Sequence, residues 1–196
     1  MNVYEAQAPT QEQQLQEACI SLVRALNPDY LSDADMRGTP LRIRKMFQHF
    51  FRGSTEEDIE MIMSKVFPTE NDQMVIVKDI KCFGLCPHHF APIEYKVHIG
   101  YIPRGKALGL SKLARLSVAL SSYPKLQENF TKEIGDALEK YLNPEGIMVV
   151  VDGIHGCMRF RGVEQHSDTI TSDVRGAFKE NPETRAEFMK LLELRI

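Results

Sequence analysis

The chain has 196 residues, of which 43% are hydrophobic and 26% are charged. This composition is typical of a globular protein and excludes a disordered, a collagenous or a coiled-coil chain. Twenty-four basic and 27 acidic residues give a net charge of −3, which argues against a protein that coats nucleic acid.

The location of the protein is predicted from its apolar runs and its first residues. No apolar run approaches the ~18 residues that span a bilayer, and the polar start of the chain lacks the features of a signal peptide. We therefore expect a cytoplasmic protein, in which the four cysteines are thiols, metal ligands or catalysts rather than disulfides.

The first third of the chain carries the signals of helices. Apolar residues recur at helical intervals behind N-terminal signals at Thr10, Thr39 and Ser54. We therefore predict an N-terminal helical extension over residues 1–70 and a second domain over residues 71–196.

The rest of the chain mixes strands with helices. Two helices are predicted in its middle, one capped by Ser111 and one running from Pro124 to Asn143. Another helix is predicted after Asn181. The β-branched or alternating segments that predict strands are 74–82, 92–101, 147–153, 155–163 and 169–178. This order of elements predicts the α+β fold class.

One dense group of potential metal ligands lies between the first two predicted strands. Cys86, His88 and His89 stand within four residues of one another. Cysteine and histidine two or three residues apart on a turn have the spacing of metal ligands. The alternative is a set of buried thiols and partly exposed histidines with no ion.

A second group of chemical side chains lies in the predicted strand 155–163. His155, Cys157, Arg159 and Arg161 alternate there with glycine or apolar residues. Alternate side chains of a strand share one face, so these four are predicted to project together. A strand with a purely structural role seldom carries four such side chains on one face. The pattern therefore favours a functional role for these residues.

The two groups together predict a zinc site. Cys86, His89 and Cys157 make a three-ligand set that leaves the fourth zinc position open for water. His88 and His155 remain for proton transfer, because imidazole titrates near neutral pH. The alternative is a non-catalytic zinc module, in which Cys82 is the fourth ligand and closes the site.

A third pattern is cationic. Ser111, Lys112 and Arg115 lie at the start of a predicted helix, where free N–H groups and the helix dipole attract anions. Arg161 and Arg42 are expected to add to this site, because guanidinium groups suit phosphate oxygens. We therefore predict a polyphosphate ligand.

The base of such a ligand has a candidate partner in Glu128, close to the predicted start of the next helix. Its carboxylate has the two acceptor oxygens that the N–H groups of a guanine edge require. The alternative is an exposed glutamate that is favoured in a first turn by the helix dipole.

From about residue 36 to its end, the chain resembles GTP cyclohydrolase I. The matching motifs occur in order and with few gaps: Cys86-Pro-His-His89, Gly109-Leu-Ser-Lys112-Leu-Ala-Arg115, Leu126-Gln-Glu128, His155-Gly-Cys157-Met and Arg161-Gly-Val163. The chain departs from the family pattern at Pro87, where most members carry glutamate.

The resemblance implies a fold, an assembly and a reaction. The fold is the tunnelling fold, an antiparallel sheet with two helices, preceded here by the helical extension. Subunits of this family join their sheets into a barrel, and two five-subunit rings form a homodecamer with sites between subunits. The reaction converts GTP and water to 7,8-dihydroneopterin triphosphate and formate. A drifted relative that binds GTP and stops at ring opening is the alternative.

The resemblance also implies a role for each matching residue. Zinc would be bound by Cys86, His89 and Cys157, and protons would be transferred by His88 and His155. The residues implied in substrate binding are Glu128, Gln127, Ser111, Lys112, Arg115, Arg161 and Arg42.

Overall fold

The structure is a computed structural model that describes residues 9–194. Its contacts divide the chain between Phe51 and Arg52, whereas the sequence analysis placed the boundary near residue 70. The difference comes from the helix that follows Thr55, because its apolar face packs into the core of the second unit.

The first unit is helical, as predicted. It contains α1 (Gln11–Leu26) and α2 (Thr39–Phe50), which contact each other, and a short 3₁₀ turn between them. The predicted helix start at Thr10 is confirmed and takes the form of a capping box, since the Thr10 hydroxyl accepts the backbone N–H of Gln13 and the Gln13 side chain accepts that of Thr10.

The second unit confirms the α+β class. Its helices are α3 (Glu56–Met63), α4 (Leu110–Ser121), α5 (Gln127–Leu142), α6 (Gly156–Arg159), α7 (Ala177–Glu180) and α8 (Pro182–Glu193). Its strands are β1 (Val66–Pro68), β2 (Val75–Leu85), β3 (Pro92–Ile102), β4 (Lys106–Leu108), β5 (Gly146–His155) and β6 (Asp168–Gly176). The order β2-β3-β5-β6 forms one antiparallel sheet, and β1 pairs with β4 in a second.

One face of the main sheet packs with α4 and α5. The predicted alternation along β3 is confirmed, because its apolar side chains from Ile93 to Tyr101 are buried in one core with Leu113, Phe130 and Ile134. Each such fully buried side chain contributes ~1.5–3 kcal/mol. This core fixes the strand ends from which the site residues project.

The opposite face of the sheet packs with the C-terminal helices. Met148 and Val150 of β5 form a second apolar cluster with Phe178 of α7 and Phe188 of α8. A Cβ at Gly100 would lie 2.6 Å from the Phe188 ring, so the glycine lets α8 approach β3 closely. Two separate cores therefore hold the sheet from both sides.

Three predicted helix starts are displaced. The cap of α3 is Thr55, whose hydroxyl accepts the N–H of Asp58, rather than Ser54. Helix α4 follows Gly109 with no side-chain cap, so Ser111 lies in its exposed first turn instead of capping it. Helix α5 begins at Gln127 rather than at Pro124.

The predicted strand 155–163 is wrong. Strand β5 ends at His155, and the next four residues form α6. The pair between Ile93 and His155 is the last of its ladder, because β3 begins at Pro92, whose nitrogen has no hydrogen to donate. The histidine, the cysteine and the two arginines of this segment therefore do not share a strand face.

The length and the apolar character of the described helices show whether any of them could cross a membrane. Between residues 9 and 194, none of them is both long enough and apolar enough to cross a bilayer.

Candidate metal centre and its surroundings

The tight turn between β2 and β3 carries the first two candidate ligands. The N–H of Cys86 donates to the Ala91 carbonyl and the N–H of Phe90 donates to the Cys86 carbonyl, both at 2.9 Å. These two bonds close the turn without an N–H from Pro87, so the proline fits its backbone. The Cys86 Sγ lies 3.9 Å from Nδ1 of His89.

The third candidate ligand comes from α6. The turn of this helix brings Cys157 to the hairpin, so that the ligand atoms of Cys86, His89 and Cys157 all lie within 4.8 Å of one another. Tetrahedral ligands at zinc distances lie about 3.6 Å apart, so small side-chain rotations bring the three onto one ion. The predicted strand was wrong, yet the predicted grouping of these residues agrees with the structure.

The chemistry of this donor set fits a cation. Burial raises the pKa of the Cys157 thiol, and the neighbouring Cys86 raises it further. A thiol whose ionisation is hindered in this way gains from a positive ion beside it. Two sulfurs and one imidazole suit zinc, and they leave one tetrahedral position for a further ligand.

The closed four-ligand alternative does not fit the structure. Cys82 is buried on β2, opposite Tyr95 of β3, and lies outside the ligand group. Burial raises the pKa of its thiol to about 11. Its position in the core makes it a packing residue.

His155 is the last residue of β5, two residues before Cys157. Its Nε2 is 2.7 Å from Oε1 of Gln127, and its ring meets the buried Tyr95 ring edge-on at 6.5 Å between centroids. Burial lowers the pKa of His155, and the Glu128 carboxylate opposes this shift. Glu128 is exposed in the first turn of α5, so an acidic side chain also faces this region.

Two more predicted residues contact the ligands. The Nη1 of Arg161 lies 2.6 Å from Nε2 of His89, which puts a cation at the edge of the centre. The exposed His88 has its Nδ1 3.8 Å from the Cys86 Sγ. The sequence-predicted residues that the structure brings together are therefore Cys86, His88, His89, Cys157 and Arg161 at the ligand group, and Gln127 with His155 at the end of β5.

The remaining cations are not joined to this group. Ser111, Lys112 and Arg115 lie on α4, and Arg115 lines a groove of about 530 Å³ with Arg52. Within residues 9–194, no hydrogen bond or ion pair connects Lys112 or Arg115 to the ligand group. Arg42 belongs to the first unit, where its guanidinium donates to the Asp35 carbonyl at 3.4 Å.

Gln127, for which substrate binding remains a prediction, is buried in this structure. Its side chain is 2% exposed, and its amide atoms contact protein groups alone among the residues described. The sequence analysis also missed Gly153, which stands two residues before His155 on the same face of β5. The signal in the sequence was a glycine two residues before a candidate catalytic histidine, where the missing side chain leaves room beside the ring.

Comparison with known proteins agrees with this arrangement. Residues 15–193 match the family model described as GTP cyclohydrolase I. The chain is 46% identical over 160 residues to GTP cyclohydrolase 1 of Pelotomaculum thermopropionicum, covering 81% of this chain and 85% of that protein. It is 49% identical over 156 residues to the enzyme of the same name from Desulforamulus reducens, which covers 79% of this chain and 83% of that protein.

A more distant relative extends the match over nearly the whole length. GTP cyclohydrolase 1 of Halalkalibacterium halodurans is 38% identical over 183 residues, which cover 92% of this chain and 96% of that protein. The match includes the hairpin turn, the end of β5 and α6, which carry the candidate ligands. This chain belongs to the GTP cyclohydrolase I family.

Proposed function

We propose that this enzyme converts GTP and water to 7,8-dihydroneopterin triphosphate and formate at a zinc centre formed by Cys86, His89 and Cys157. The observation that carries the proposal is the convergence of these three ligand atoms within 4.8 Å, with His155 two residues before Cys157 at the end of β5. Zinc bound there would supply a Lewis acid that activates water.

His155 is the proposed acid of the first step. The C8 atom of the purine lies between two nitrogens and becomes electrophilic when N7 is protonated. A proton from His155 to N7 therefore prepares C8 for the addition of water, after which the five-membered ring opens and formate is released. His88 is the proposed group for proton transfers in the later rearrangement.

Glu128 is the proposed partner of the guanine base. Its carboxylate is exposed in the first turn of α5, next to Gln127, which contacts His155. A carboxylate accepts the N1–H and the 2-amino group of guanine together. Adenine presents no such pair of donors, which gives this residue a role in base selection.

The triphosphate is the proposed ligand of the cationic side chains. It does not react, so its binding serves to hold C8 at the metal centre. Arg161 lies at this centre, and Ser111 at the start of α4 is an additional hydrogen-bonding group. The cations proposed for the phosphates are Lys112, Arg115, Arg161 and Arg42.

The assembly proposed for the protein is a homo-oligomer of tunnelling-fold subunits, in the form of a decamer. Strands β2 and β6 are the two edges of the main sheet, and pairing between subunits would close them into a barrel. Such an assembly would allow Lys112 and Arg115 of one subunit to reach the metal centre of another, since no hydrogen bond or ion pair joins them to it within residues 9–194. We expect light scattering to find an oligomer, and a stable, active monomer would contradict the shared site.

Replacement of Lys112 by alanine is expected to weaken the binding of GTP far more than that of guanosine. The reason is that its ammonium group is proposed to contact the phosphates alone. Calorimetric titration of the zinc-loaded variant with both ligands measures the difference. Equal losses for GTP and guanosine would mean that the phosphate site lies elsewhere.

The direct test of the reaction uses the zinc-loaded protein and GTP. We expect release of formate together with the absorbance of a pterin, and neither product from ATP. Protein that binds zinc and GTP but forms no pterin would contradict the proposed function.

A further inference from the structure

We propose that Gln127 is a positioning residue for His155. Its amide oxygen, which reaches the ring through the space left by Gly153, holds the imidazole with a proton on Nε2 and leaves Nδ1 for the substrate. The inference rests on the proposed function, in which His155 transfers a proton to the purine.

The orientation of the Gln127 amide follows from its partners. Its nitrogen lies 3.0 Å from the Val151 carbonyl oxygen and 2.8 Å from that of Thr169. Carbonyl oxygens only accept hydrogen bonds, so the amide nitrogen must face them. The amide oxygen, Oε1, is thereby directed to His155.

The tautomer of His155 follows in turn. An amide oxygen only accepts, so the Nε2 of His155, at 2.7 Å, must carry the proton of this hydrogen bond. In the neutral ring Nδ1 then carries a lone pair. No hydrogen bond to Nδ1 is found in the part of the chain that the structure describes, residues 9–194.

Gly153 provides the room for this contact. A Cβ at this position would lie 2.1 Å from Oε1 of Gln127 and 3.2 Å from Nε2 of His155. The first distance is far too short for two non-bonded atoms. Any side chain at this position would therefore push the amide oxygen away from the ring.

Two threonine hydroxyls hold the amide in place. Thr131 donates to the backbone carbonyl of Gln127 at 2.8 Å, so its single proton is used. The hydroxyl of Thr171, 2.6 Å from that of Thr131, must then be the donor between them. Its oxygen lies 3.2 Å from the amide nitrogen of Gln127 and shares one of the two amide hydrogens with a carbonyl. This closed circuit resists rotation of the amide.

The consequence for the reaction concerns which ring nitrogen gives up its proton. In the doubly protonated ring, the proton on Nδ1 passes to N7 of the purine while its electron pair stays on Nδ1. The ring is left neutral with its proton on Nε2, which is the tautomer that Gln127 accepts from. Gln127 accepts the Nε2 proton both before and after this transfer, so it makes Nδ1 the donor atom and fixes its direction.

The first test observes the tautomer without reference to turnover. Solid-state NMR of the zinc-loaded protein with ¹⁵N-labelled histidine, at about pH 8 where imidazole is neutral, distinguishes the two tautomers. A His155→Ala sample identifies the resonances of His155. We expect the proton on Nε2 in the native protein and a mixture of tautomers in Gln127→Met. A native His155 with its proton on Nδ1 would overturn the inference.

The second test separates positioning from a merely structural role. Gln127→Met, which keeps the size of the side chain, is expected to lower kcat about 10- to 100-fold, as is typical when a supporting hydrogen bond in a metal site is lost. The KM for GTP and the zinc content should change little. Gly153→Ala should have the same effect, because it displaces the same oxygen.

Thr171→Val is the matched control. It removes one hydroxyl of the circuit while the two carbonyls still orient the amide, so its kcat should fall by much less than that of Gln127→Met. A native kcat in Gln127→Met, or an equal loss in Thr171→Val, would overturn the inference. Native protein that releases no formate from GTP would refute the proposed function, and the NMR result would still decide whether Gln127 sets the tautomer.

Discussion

Replacement of Cys157 by serine is expected to remove zinc from the protein and to abolish the release of formate from GTP. Only two ligands, Cys86 and His89, would remain, and two ligands do not hold zinc at physiological availability. His89→Ala should act in the same way. The measurements are the zinc content of the purified variants and their formate production.

Cys82→Ser is the matched control for this experiment. It also replaces a buried cysteine by serine, but at a position outside the ligand group. Its zinc content should remain that of the native protein, even if burial of a hydroxyl in the core lowers the free energy of unfolding. Full zinc occupancy in Cys157→Ser, or loss of zinc in Cys82→Ser, would contradict the assigned ligands.

Replacement of His155 by alanine is expected to separate binding from chemistry. The ligand group does not include this residue, so the variant should keep its zinc and its affinity for GTP. Formate release should fall by about 10²- to 10⁴-fold, which is the usual contribution of a positioned acid or base. Zinc analysis, GTP titration and a formate assay measure the three quantities.

His166→Ala serves as the control, because His166 is exposed and lies outside the ligand group. It should leave all three quantities unchanged. Near-normal formate release by His155→Ala would remove His155 from the proposed acid role.

Local patterns in the sequence were sufficient for much of the fold. The alternation along β3 is a property of a strand with one buried face, and the buried residues from Ile93 to Tyr101 follow it. The capping box at Thr10 also acts over a few residues, so its helix start was predicted correctly. The short spacing from Cys86 to His89 likewise indicated two of the three candidate ligands.

The end of β5 shows where local patterns stop being sufficient. Alternation from His155 to Arg161 predicted a strand, but a strand continues only where a neighbour supplies hydrogen bonds. The neighbour, β3, begins at Pro92, whose nitrogen has no hydrogen to donate. The ladder therefore ends there, and the chain turns into α6. The grouping of Cys157 with the hairpin ligands depends on this turn.

The roles of Gln127 and Cys82 were also decided by the tertiary structure. From its place beside Glu128, Gln127 was predicted to contact the substrate, whereas packing of α5 on β5 and β6 directs its amide into the protein. Cys82 has a spacing compatible with a fourth ligand, but its direction from β2 places it in the core. The sequence by itself determined which residue types were available for metal and proton chemistry. Only the tertiary structure determined which of them meet, because the direction of a side chain depends on hydrogen-bond partners that are distant in sequence.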